Sequence, residues 1–462
     1  MSSAKKGQGS LAVLVLAAGQ GTRMESTIPK VLHHLGGRPM LFYILRIANA
    51  LKPGAIGVVV GHESASVKAE TLEMAKSVGI TRPIHFIVQK KPLGSGNAVV
   101  ESLPFLKKFK TAAVMCGDTP LLTYESIYNL LLTHDQLKGQ ATLLTARLQN
   151  PKGYGRIVRG ALGEVQRVVE ESVASPKEAA ISEVNSGAYV FELEALIAGL
   201  KEIGAKGPKK EHFLTDVMEA IRAKGGRIHA YATANAEEVQ GINNRSQLSV
   251  AERVLNKRML ERLMISGVTI RDPQTTQVDA DVEIGQDTVI YPGTILRGRT
   301  KIGRLCRLGP FTHIEDANIG NECEVRHSYV VGARLLEKTS VGPFAHIRPD
   351  SILGPRARVG NFTEVKNSRV GFGSKVNHLS YIGDADIAED VNIGAGTITC
   401  NYDGKAKHKT TIGAKAFIGS NVSLIAPVKI GKGAKVAAGS TVTEDVPDEA
   451  LAIARARQVN KT

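Results

Sequence analysis

The sequence of 462 residues contains no tryptophan, and its aromatic residues together make up only 5% of the chain. Proteins that bind single-stranded nucleic acid stack the bases on aromatic side chains. This composition therefore argues against that class of protein. The net charge of +15 still calls for anionic partners, and nucleic acid, anionic membranes and small phosphorylated substrates are the candidates.

Cysteine and long apolar runs are also scarce. The four cysteines, Cys116, Cys306, Cys323 and Cys400, are scattered and form no CxxC pair. They are too few for a disulfide framework, and their spacing argues against a structural zinc site. No apolar run approaches the ~20 residues that span a bilayer. We therefore expect a protein without membrane insertion in the reducing environment of the cytoplasm.

The first half of the chain alternates apolar runs with helical patterns. We predict strands at 11–16, 56–60, 84–88, 112–116 and 141–146, and helices at 39–50, 64–78, 94–107 and 124–136. This rhythm predicts an α/β domain with a largely parallel sheet and helices on both faces. Ligands of such domains bind at the carboxyl ends of the strands.

The second half is built on a repeat of six residues. Aliphatic residues recur at this spacing over most of the segment, and glycine often follows them. The positions are Ile284, Ile290, Leu296, Ile302, Leu308, Ile314, Ile319, Val325, Val331, Val341, Ile347, Leu353, Val359, Val365, Val370, Val376, Ile382, Ile412, Ile418, Leu424, Ile430, Val436 and Val442. Three hexads make one coil of a triangular β-helix, with an aliphatic residue expected at each corner. Insertions near 335–339 and 401–409 interrupt the six-residue spacing, and we expect them to form loops.

A charged, helix-patterned stretch connects the two halves and ends at Gly267. We therefore predict an N-terminal domain at 1–245, a connecting helix at 246–267 and a β-helix domain at 268–462.

A glycine-rich turn follows the first predicted strand. Residues 16–24 read LAAGQGTRM, and Arg23 and Lys30 place two cations just beyond the turn. Small residues let the backbone approach a ligand and offer N–H groups to phosphate. Met24 stands where a Rossmann fingerprint requires its third glycine, and the turn is not a Walker A loop.

The motif LAAGxGTRMx(5)PK resembles the signature of the sugar-1-phosphate nucleotidylyltransferases. With the hexapeptide repeats behind it, nearly the whole chain is similar to the bacterial bifunctional family that makes UDP-N-acetylglucosamine. The resemblance implies a Rossmann-like nucleotidyltransferase domain followed by a left-handed parallel β-helix. It also implies two reactions, the acetylation of glucosamine-1-phosphate by acetyl-CoA and the transfer of UMP from UTP to N-acetylglucosamine-1-phosphate. The product is a precursor of peptidoglycan and lipopolysaccharide, and the family forms homotrimers through the β-helix, with acetyl sites between subunits.

The resemblance assigns the uridylyltransferase roles residue by residue. Arg23 and Lys30 would neutralise the triphosphate, and Asp118 with Asn243 would hold Mg²⁺, which takes one or two protein oxygens in such sites. Gln89, Gly94 and Ser95 would contact the uracil ring, and Gly155, Glu170 and Asn185 would bind the sugar. The full set implied to bind UTP or UDP-N-acetylglucosamine is Leu16, Ala17, Ala18, Gly19, Lys30, Gln89, Gly94, Ser95, Cys116, Gly117, Asp118, Gly155, Glu170, Asn185 and Asn243. The chain departs from the family at Cys116, where Tyr is common, and at Ser95 and Asn97, where Thr and His are common.

The resemblance also assigns an acetyltransferase site. His378 would be the general base toward the amino group of the sugar, with Glu364 as a possible partner, because imidazole exchanges protons near neutral pH. The residues implied to bind glucosamine-1-phosphate are Arg348, Lys366, Tyr381 and Asn392. The residues implied to bind acetyl-CoA are Ala395, Asn401, Tyr402, Ser420, Ala438 and Arg455.

Other functions stay open at this point. The chain could catalyse nucleotidyl transfer alone, with a structural β-helix, or could be a non-catalytic scaffold. A nucleic-acid binder is suggested by the charge alone and would bind with a steep salt dependence. Zinc bound by histidines of a β-helix trimer is disfavoured because no HxxxxH pair accompanies His378.

Overall fold

A computed structural model of the protein describes residues 11–61, 64–206 and 211–461. The chain divides into two compact units between Leu255 and Asn256. The division falls inside the helix Arg245–Ile265, which occupies most of the connecting segment predicted at 246–267. No helix in the described ranges is long and apolar enough to cross a membrane.

The first unit is a mixed sheet with helices packed around it. Its strands are β1 (Leu11–Leu16), β2 (His34–Leu35), β3 (Arg38–Pro39), β4 (Ala55–Val60), β5 (Ile84–Val88), β6 (Thr111–Cys116), β7 (Ala141–Arg147), β8 (Arg156–Arg159), β9 (Val165–Val169), β10 (Glu183–Glu192) and β11 (Ile228–Ala232). The helices are α1 (Met40–Ala50), α2 (Ala65–Val78), α3 (Ser95–Glu101), α4 (Leu103–Leu106), α5 (Tyr124–Leu137), α6 (Pro176–Ala179), α7 (Leu193–Leu200), α8 (Asp216–Ala223) and α9 (Arg245–Ile265).

The sheet runs in the order β11-β7-β10-β6-β1-β4-β5, and β8 and β9 form a hairpin beside β10. Strands β1, β4, β5 and β6 are parallel, as predicted, and β1 is apolar along its length because helices cover both faces of the sheet. Strand β10 was not predicted, and it runs antiparallel to β6 and β7. The helix predicted at 94–107 is split into α3 and α4, since Pro104 lacks an N–H to continue it.

The second unit is a parallel β-helix with three faces. The first face consists of Thr269–Ile270, Val289–Ile290, Arg307–Leu308, Glu324–Val325, Ser340–Val341, Arg358–Asn361, Lys375–His378, Asn392–Ile393, Phe417–Ile418, Lys435–Val436 and Leu451–Ala452. The second face consists of Gln277–Val278, Ile295–Arg297, His313–Glu315, Tyr329–Val331, His346–Ile347, Glu364–Lys366, Tyr381–Gly383, Ile398–Cys400, Ser423–Ile425 and Thr441–Val442. The third face consists of Glu283–Ile284, Lys301–Ile302, Asn318–Ile319, Arg334–Leu335, Ile352–Leu353, Arg369–Val370, Ala385–Ile387, Thr410–Ile412 and Val428–Ile430. The predicted fold class, a Rossmann-like domain followed by a left-handed β-helix of hexapeptide repeats, is confirmed.

The aliphatic repeat fills the interior of the β-helix, but its residues do not lie at the corners. All but one of them lie on a short strand and point inward, as Leu308 does between Ile290 and Val325 on the first face. The corners are formed by turns, most of which contain a residue with positive φ. The expectation of corner aliphatics is therefore wrong, because the inward position of a two-residue strand is the one that water cannot reach.

The register differs from the prediction at one place. Val330, not Val331, is fully buried, and it pairs with Ile314 and Ile347 of the neighbouring coils. Residues 335–339 are not an insertion, since Leu335 continues the third face between the strands on either side. The insertion predicted at 401–409 is present and connects the second face to the third.

The corner between the first and second faces carries a row of exposed side chains, which we call the aromatic ridge. It consists of Phe311, His327, Phe344, Phe362 and Leu379 in successive coils. The ring centroids of neighbouring members lie 5.8 Å, 5.7 Å and 5.3 Å apart from Phe311 to Phe362. The ridge is thus a row of adjacent rings on the outside of the β-helix, with the half-buried His327 between exposed phenylalanines.

The corrected register makes a testable distinction between two adjacent valines. Val330→Asn should lower the free energy of unfolding of the β-helix unit by about 2–4 kcal/mol, since it buries an unpaired amide and removes apolar contacts. Val331→Asn, at a half-buried position, should cost less than about 1 kcal/mol. Urea unfolding followed by circular dichroism measures both, and equal losses would contradict the register.

Candidate active sites

A cluster of polar side chains lies at the carboxyl ends of β1 and β6. Asp118 follows β6, and its carbonyl oxygen accepts a hydrogen bond of 2.9 Å from the backbone of Ile242, which brings Asn243 beside it. The Lys30 ammonium donates to Asp118 Oδ2 and, at 3.1 Å, to Asn243 Oδ1. Arg23 Nη2 donates to the same Asn243 oxygen at 3.1 Å. The structure therefore brings together all four residues that the sequence assigns to phosphate and metal.

The same cluster fits a magnesium ion. The carboxylate oxygen of Asp118 and the amide oxygen of Asn243 both accept from the Lys30 ammonium, so two oxygens of the kind that Mg²⁺ prefers lie close together. The described residues contain no group of three or more His, Cys, Asp or Glu side chains arranged for a metal. Mg²⁺ does not need such a group, because it is usually held by one or two protein oxygens together with substrate phosphates.

The glycine-rich turn crosses the end of the sheet next to this cluster. Ala17 donates its backbone N–H to the carbonyl of Val59 at 2.8 Å, and Gly117 donates to the carbonyl of Leu16 at 2.8 Å. A methyl group built on Gly19 would lie 3.8 Å from Cε of Lys30. The turn 16–19, Ala18 included, therefore lies beside the cations that the sequence places next to phosphate.

The residues assigned to the uracil ring also lie together. Gln89 Nε2 donates to the carbonyl of Gly94 and to Oδ1 of Asn97, each at 3.0 Å. Ser95 Oγ accepts from the backbone N–H of Leu214 at 3.1 Å. Asn97, one of the departures from the family, is thus the partner that orients Gln89.

The three residues assigned to the sugar lie together on the other side of Cys116. We call the region between them and the cluster around Asp118 the cleft. Asn185 donates its backbone N–H to the carbonyl of Gly155 at 2.9 Å. A methyl group on Gly155 would lie 3.4 Å from Oε2 of Glu170 and 3.6 Å from Cβ of Asn185, so glycine leaves space between them. Burial raises the pKa of Glu170, while the Thr215 hydroxyl, which donates to its carboxylate at 2.9 Å, opposes the shift.

Cys116 lies between the two ends. Its thiol donates to the carbonyl of Gly187 at 3.5 Å. Burial, followed by the charge of Asp118, raises the pKa of Cys116 to about 12, and Lys30 acts in the opposite direction. The residue that departs most clearly from the family is therefore a neutral thiol facing both halves of the cleft.

In the β-helix unit, His378 and Asn361 are neighbours in successive strands of the first face. His378 Nδ1 donates to Oδ1 of Asn361 at 2.8 Å, which leaves Nε2 as the lone-pair nitrogen. The sequence suggested Glu364 as the partner of His378. In the structure Glu364 is instead paired with Arg348, since Nη1 of Arg348 donates to the Glu364 carboxylate at 2.7 Å. Asn361 was missed because an amide partner has no distinctive spacing.

A second group of polar residues surrounds Lys366 at the next corner. The Lys407 ammonium lies beside that of Lys366, and this contact lowers the pKa of Lys407. Asn401 donates to Asp384, and Asn367 donates to the other carboxylate oxygen of Asp384 at 2.5 Å. Lys407 was also missed, although the insertion at 401–409 that carries it was recognised as a loop.

The remaining residues of this site follow the β-helix axis. Tyr381 pairs with Glu364 on the second face, and Asn392 lies on the first face in the coil after His378. Four residues assigned to acetyl-CoA form a column in the turns of later coils. These are Ala395, Ser420, Ala438 and Arg455.

Hydrogen bonds connect this column from coil to coil. Asn421 donates to the carbonyl of Ala395 at 2.7 Å, and Gly439 donates to that of Ser420 at 2.8 Å. Tyr402 projects from the insertion, exposed over 61% of its surface, and its hydroxyl donates to the carbonyl of Gly404 at 2.7 Å.

The raised pKa of Cys116 makes its reactivity testable. The thiolate is the reactive form, so at pH 8 iodoacetamide should alkylate Cys116 in the folded protein at least about tenfold more slowly than in the unfolded chain. Mass spectrometry of the Cys116 peptide gives both rates. Equal rates would show that the thiol ionises freely in the cleft.

Comparisons with known proteins identify the family of each unit. Residues 12–236 match the family described as nucleotidyl transferase, and residues 409–444 match the bacterial transferase hexapeptide family with six repeats. The bifunctional protein GlmU of Halalkalibacterium halodurans is 48% identical and covers 97% of each chain. That of Shouchella clausii is 47% identical over 97% of each chain, and that of Trichlorobacter lovleyi is 46% identical over 98% of this chain and 97% of its own. Since these identities extend over nearly the full length, the chain belongs to the family of bifunctional GlmU proteins.

Proposed function

We propose that the two units catalyse successive steps of UDP-N-acetylglucosamine synthesis. The β-helix unit acetylates glucosamine-1-phosphate with acetyl-CoA, and the α/β unit transfers UMP from UTP to the product with release of pyrophosphate. The observation that carries this proposal is that each unit contains its own cluster of suitable chemistry. One is Lys30 with Asp118 and Asn243, and the other is His378 with its oriented imidazole.

In the acetyl transfer, His378 is the general base. Its Nδ1–H is held by Asn361, so the Nε2 lone pair accepts the proton that the 2-amino group loses. The amine nitrogen then attacks the acetyl carbonyl carbon, the C–S bond breaks and coenzyme A leaves with the sulfur. Arg348, Lys366 and Lys407 supply positive charge for the sugar phosphate.

In the uridylyl transfer, a phosphate oxygen of N-acetylglucosamine-1-phosphate attacks the α-phosphorus of UTP, and the bond to pyrophosphate breaks. Such reactions depend on positioning and charge neutralisation. Lys30 and Arg23 bring two cations to the triphosphate, while Glu170 and Asn185 hold the sugar. We propose that Asp118 and Asn243 hold Mg²⁺, which when bound neutralises phosphate charge.

The product of this pathway is a precursor of peptidoglycan and lipopolysaccharide, and we place the protein in the cytoplasm. The four cysteines are free, as expected in a reducing compartment. The anionic substrates account for the basic residues at both sites, which are a few of the 59 lysines and arginines of the chain.

We propose further that the chain forms a homotrimer through the β-helix. The aromatic ridge supports this, because it exposes Phe311, Phe344 and Phe362 over 67%, 55% and 57% of their surfaces along one corner. Exposed apolar patches are typical of protein interfaces. The ridge ends at Leu379, next to His378, so association would bring a second copy close to the acetyl-transfer base.

Single substitutions should separate the two activities. His378→Ala should lower acetyl transfer by about 10²–10⁴-fold, the usual contribution of a general base, and leave uridylyl transfer unchanged. Asp118→Ala should do the opposite, since it removes a carboxylate from the phosphate cluster. Coenzyme A release and pyrophosphate release, each assayed with one substrate omitted in turn, measure the two steps.

The parent protein is the reference for this experiment. Pyrophosphate release without any coenzyme A release would favour nucleotidyl transfer with a structural β-helix. Loss of neither activity in the variants would refute the residue assignments, and absence of both activities in the parent would favour a scaffold.

Introducing a charged residue into the aromatic ridge tests the proposed trimer. Phe344→Glu should convert the trimer to smaller species in analytical ultracentrifugation, because three carboxylates would be buried against apolar side chains. Leu305→Glu, at an exposed position on a different corner, is the matched control and should leave the trimer intact. A Phe344→Glu protein that stayed trimeric would place the contact elsewhere.

A further inference from the structure

Residues 211–216, which we call the clasp segment, contact both ends of the cleft in the first unit. At the nucleotide end, the carbonyl of His212 accepts from Gly96 and its N–H donates to the carbonyl of Leu93, each at 2.8 Å. The next contact is the hydrogen bond from the Leu214 N–H to Ser95 Oγ, at 3.1 Å. Three hydrogen bonds thus attach the clasp segment to the start of α3 and the loop before it, which carry residues assigned to uracil.

Close packing reinforces this attachment. Gly94 has φ of +96°, and a methyl group there would lie 2.6 Å from the carbonyl oxygen of His212. A methyl group on Gly96 would lie 2.9 Å from the same oxygen. The loop therefore approaches the clasp segment more closely than any residue with a side chain would allow.

At the sugar end, the clasp segment reaches Glu170 through Thr215. Thr215 is only 2% exposed, and its hydroxyl donates to Oε1 of Glu170 at 2.9 Å. The other oxygen of Glu170, Oε2, faces the space above Gly155 where the sugar is proposed to bind. The hydrogen bond thus fixes the rotation of the carboxylate that faces the sugar.

A purely structural role for Thr215 would be to cap α8, which begins at the next residue. A threonine in this position normally accepts a hydrogen bond from a backbone N–H in the first turn. Thr215 makes no such cap, and its hydroxyl is directed to Glu170 instead. The Thr215 side chain therefore contacts a residue of the cleft and does not cap the helix.

From these contacts we infer that the clasp segment couples nucleotide binding to sugar-phosphate binding, and that Thr215 is the positioning residue that transmits the coupling to Glu170. The inference rests on the proposed uridylyl transfer. A nucleotide that orders Gly94 and Ser95 also orders 212–214, and with it the Thr215 hydroxyl. Because such coupling is reciprocal, the sugar phosphate must favour nucleotide binding by the same factor.

The test uses the full-length protein and measures pyrophosphate release. Thr215→Val keeps the shape and removes the donor, so the KM for N-acetylglucosamine-1-phosphate at saturating UTP should rise about tenfold, with kcat changed less than threefold. The KM for UTP should fall as the sugar phosphate is raised in the parent, and this dependence should be lost in the variant. Thr215→Ser retains the hydroxyl and should restore both properties.

Thr81→Val is the matched control, since Thr81 is exposed and lies outside the cleft. An active parent combined with an unchanged KM and unchanged UTP dependence in Thr215→Val would overturn the coupling. A loss confined to kcat in Thr215→Val would show that Thr215 acts through packing, and would also overturn the coupling. A Thr215→Ser protein as impaired as Thr215→Val would have the same meaning. A parent without any uridylyl transfer would instead overturn the proposed function.

Discussion

Backbone hydrogen bonds between successive coils determine where every functional group of the β-helix unit lies. Each coil donates to the next at nearly the same distance, as in the 2.8 Å bond from Arg348 to Val365 and the 2.9 Å bond from Glu364 to Ser380. The inward aliphatic residues prevent sliding, because a shift of one residue would expose the whole apolar set. Side chains one coil apart are therefore neighbours, and this is how Asn361 comes to hold His378 and Arg348 comes to hold Glu364.

The first unit assembles its site by a different route. The parallel strands β1 and β6 end at the same edge of the sheet, which brings Gly19 and Asp118 together from distant parts of the sequence. Loops then add the remaining polar groups, the ammonium of Lys30 from one segment and the amide of Asn243 from the residues just before α9. Because Lys30 contacts both oxygens, each of the three side chains restrains the other two. In this unit the rigid strands fix where the loops lie, and the loops carry the side chains that bind and react.

The sequence predicts the parts of this protein whose patterns follow from burial alone. Strand β1 and the aliphatic positions of the β-helix were found because water is excluded there and the spacing is regular. Strand β10 was missed because Asn185, Ser186 and Gly187 interrupt its apolar run, and two of these face the cleft or its thiol. Val330 and Val331 are chemically identical, so only the neighbouring coils decide which one points inward. Asn361 and Lys407 were missed because a partner in an adjacent coil or a folded-back loop leaves no trace in local spacing.

Two phenylalanines of the aromatic ridge have a strained backbone conformation. Phe344 and Phe362 have φ of +59° and +54°, a region that disfavours side chains with a β-carbon by roughly 1–2 kcal/mol each. Along the same corner, equivalent turns outside the ridge use Gly293, Gly396 and Gly439, which adopt this conformation without strain, and Asn421, with φ of +53°. The same conformation recurs at other corners of the β-helix, where Leu305, Glu322 and Arg356 have φ of +60°, +58° and +59°. Tight turns between short strands thus impose this strain along the whole unit, and the ridge places aromatic rings at positions where the backbone already carries it.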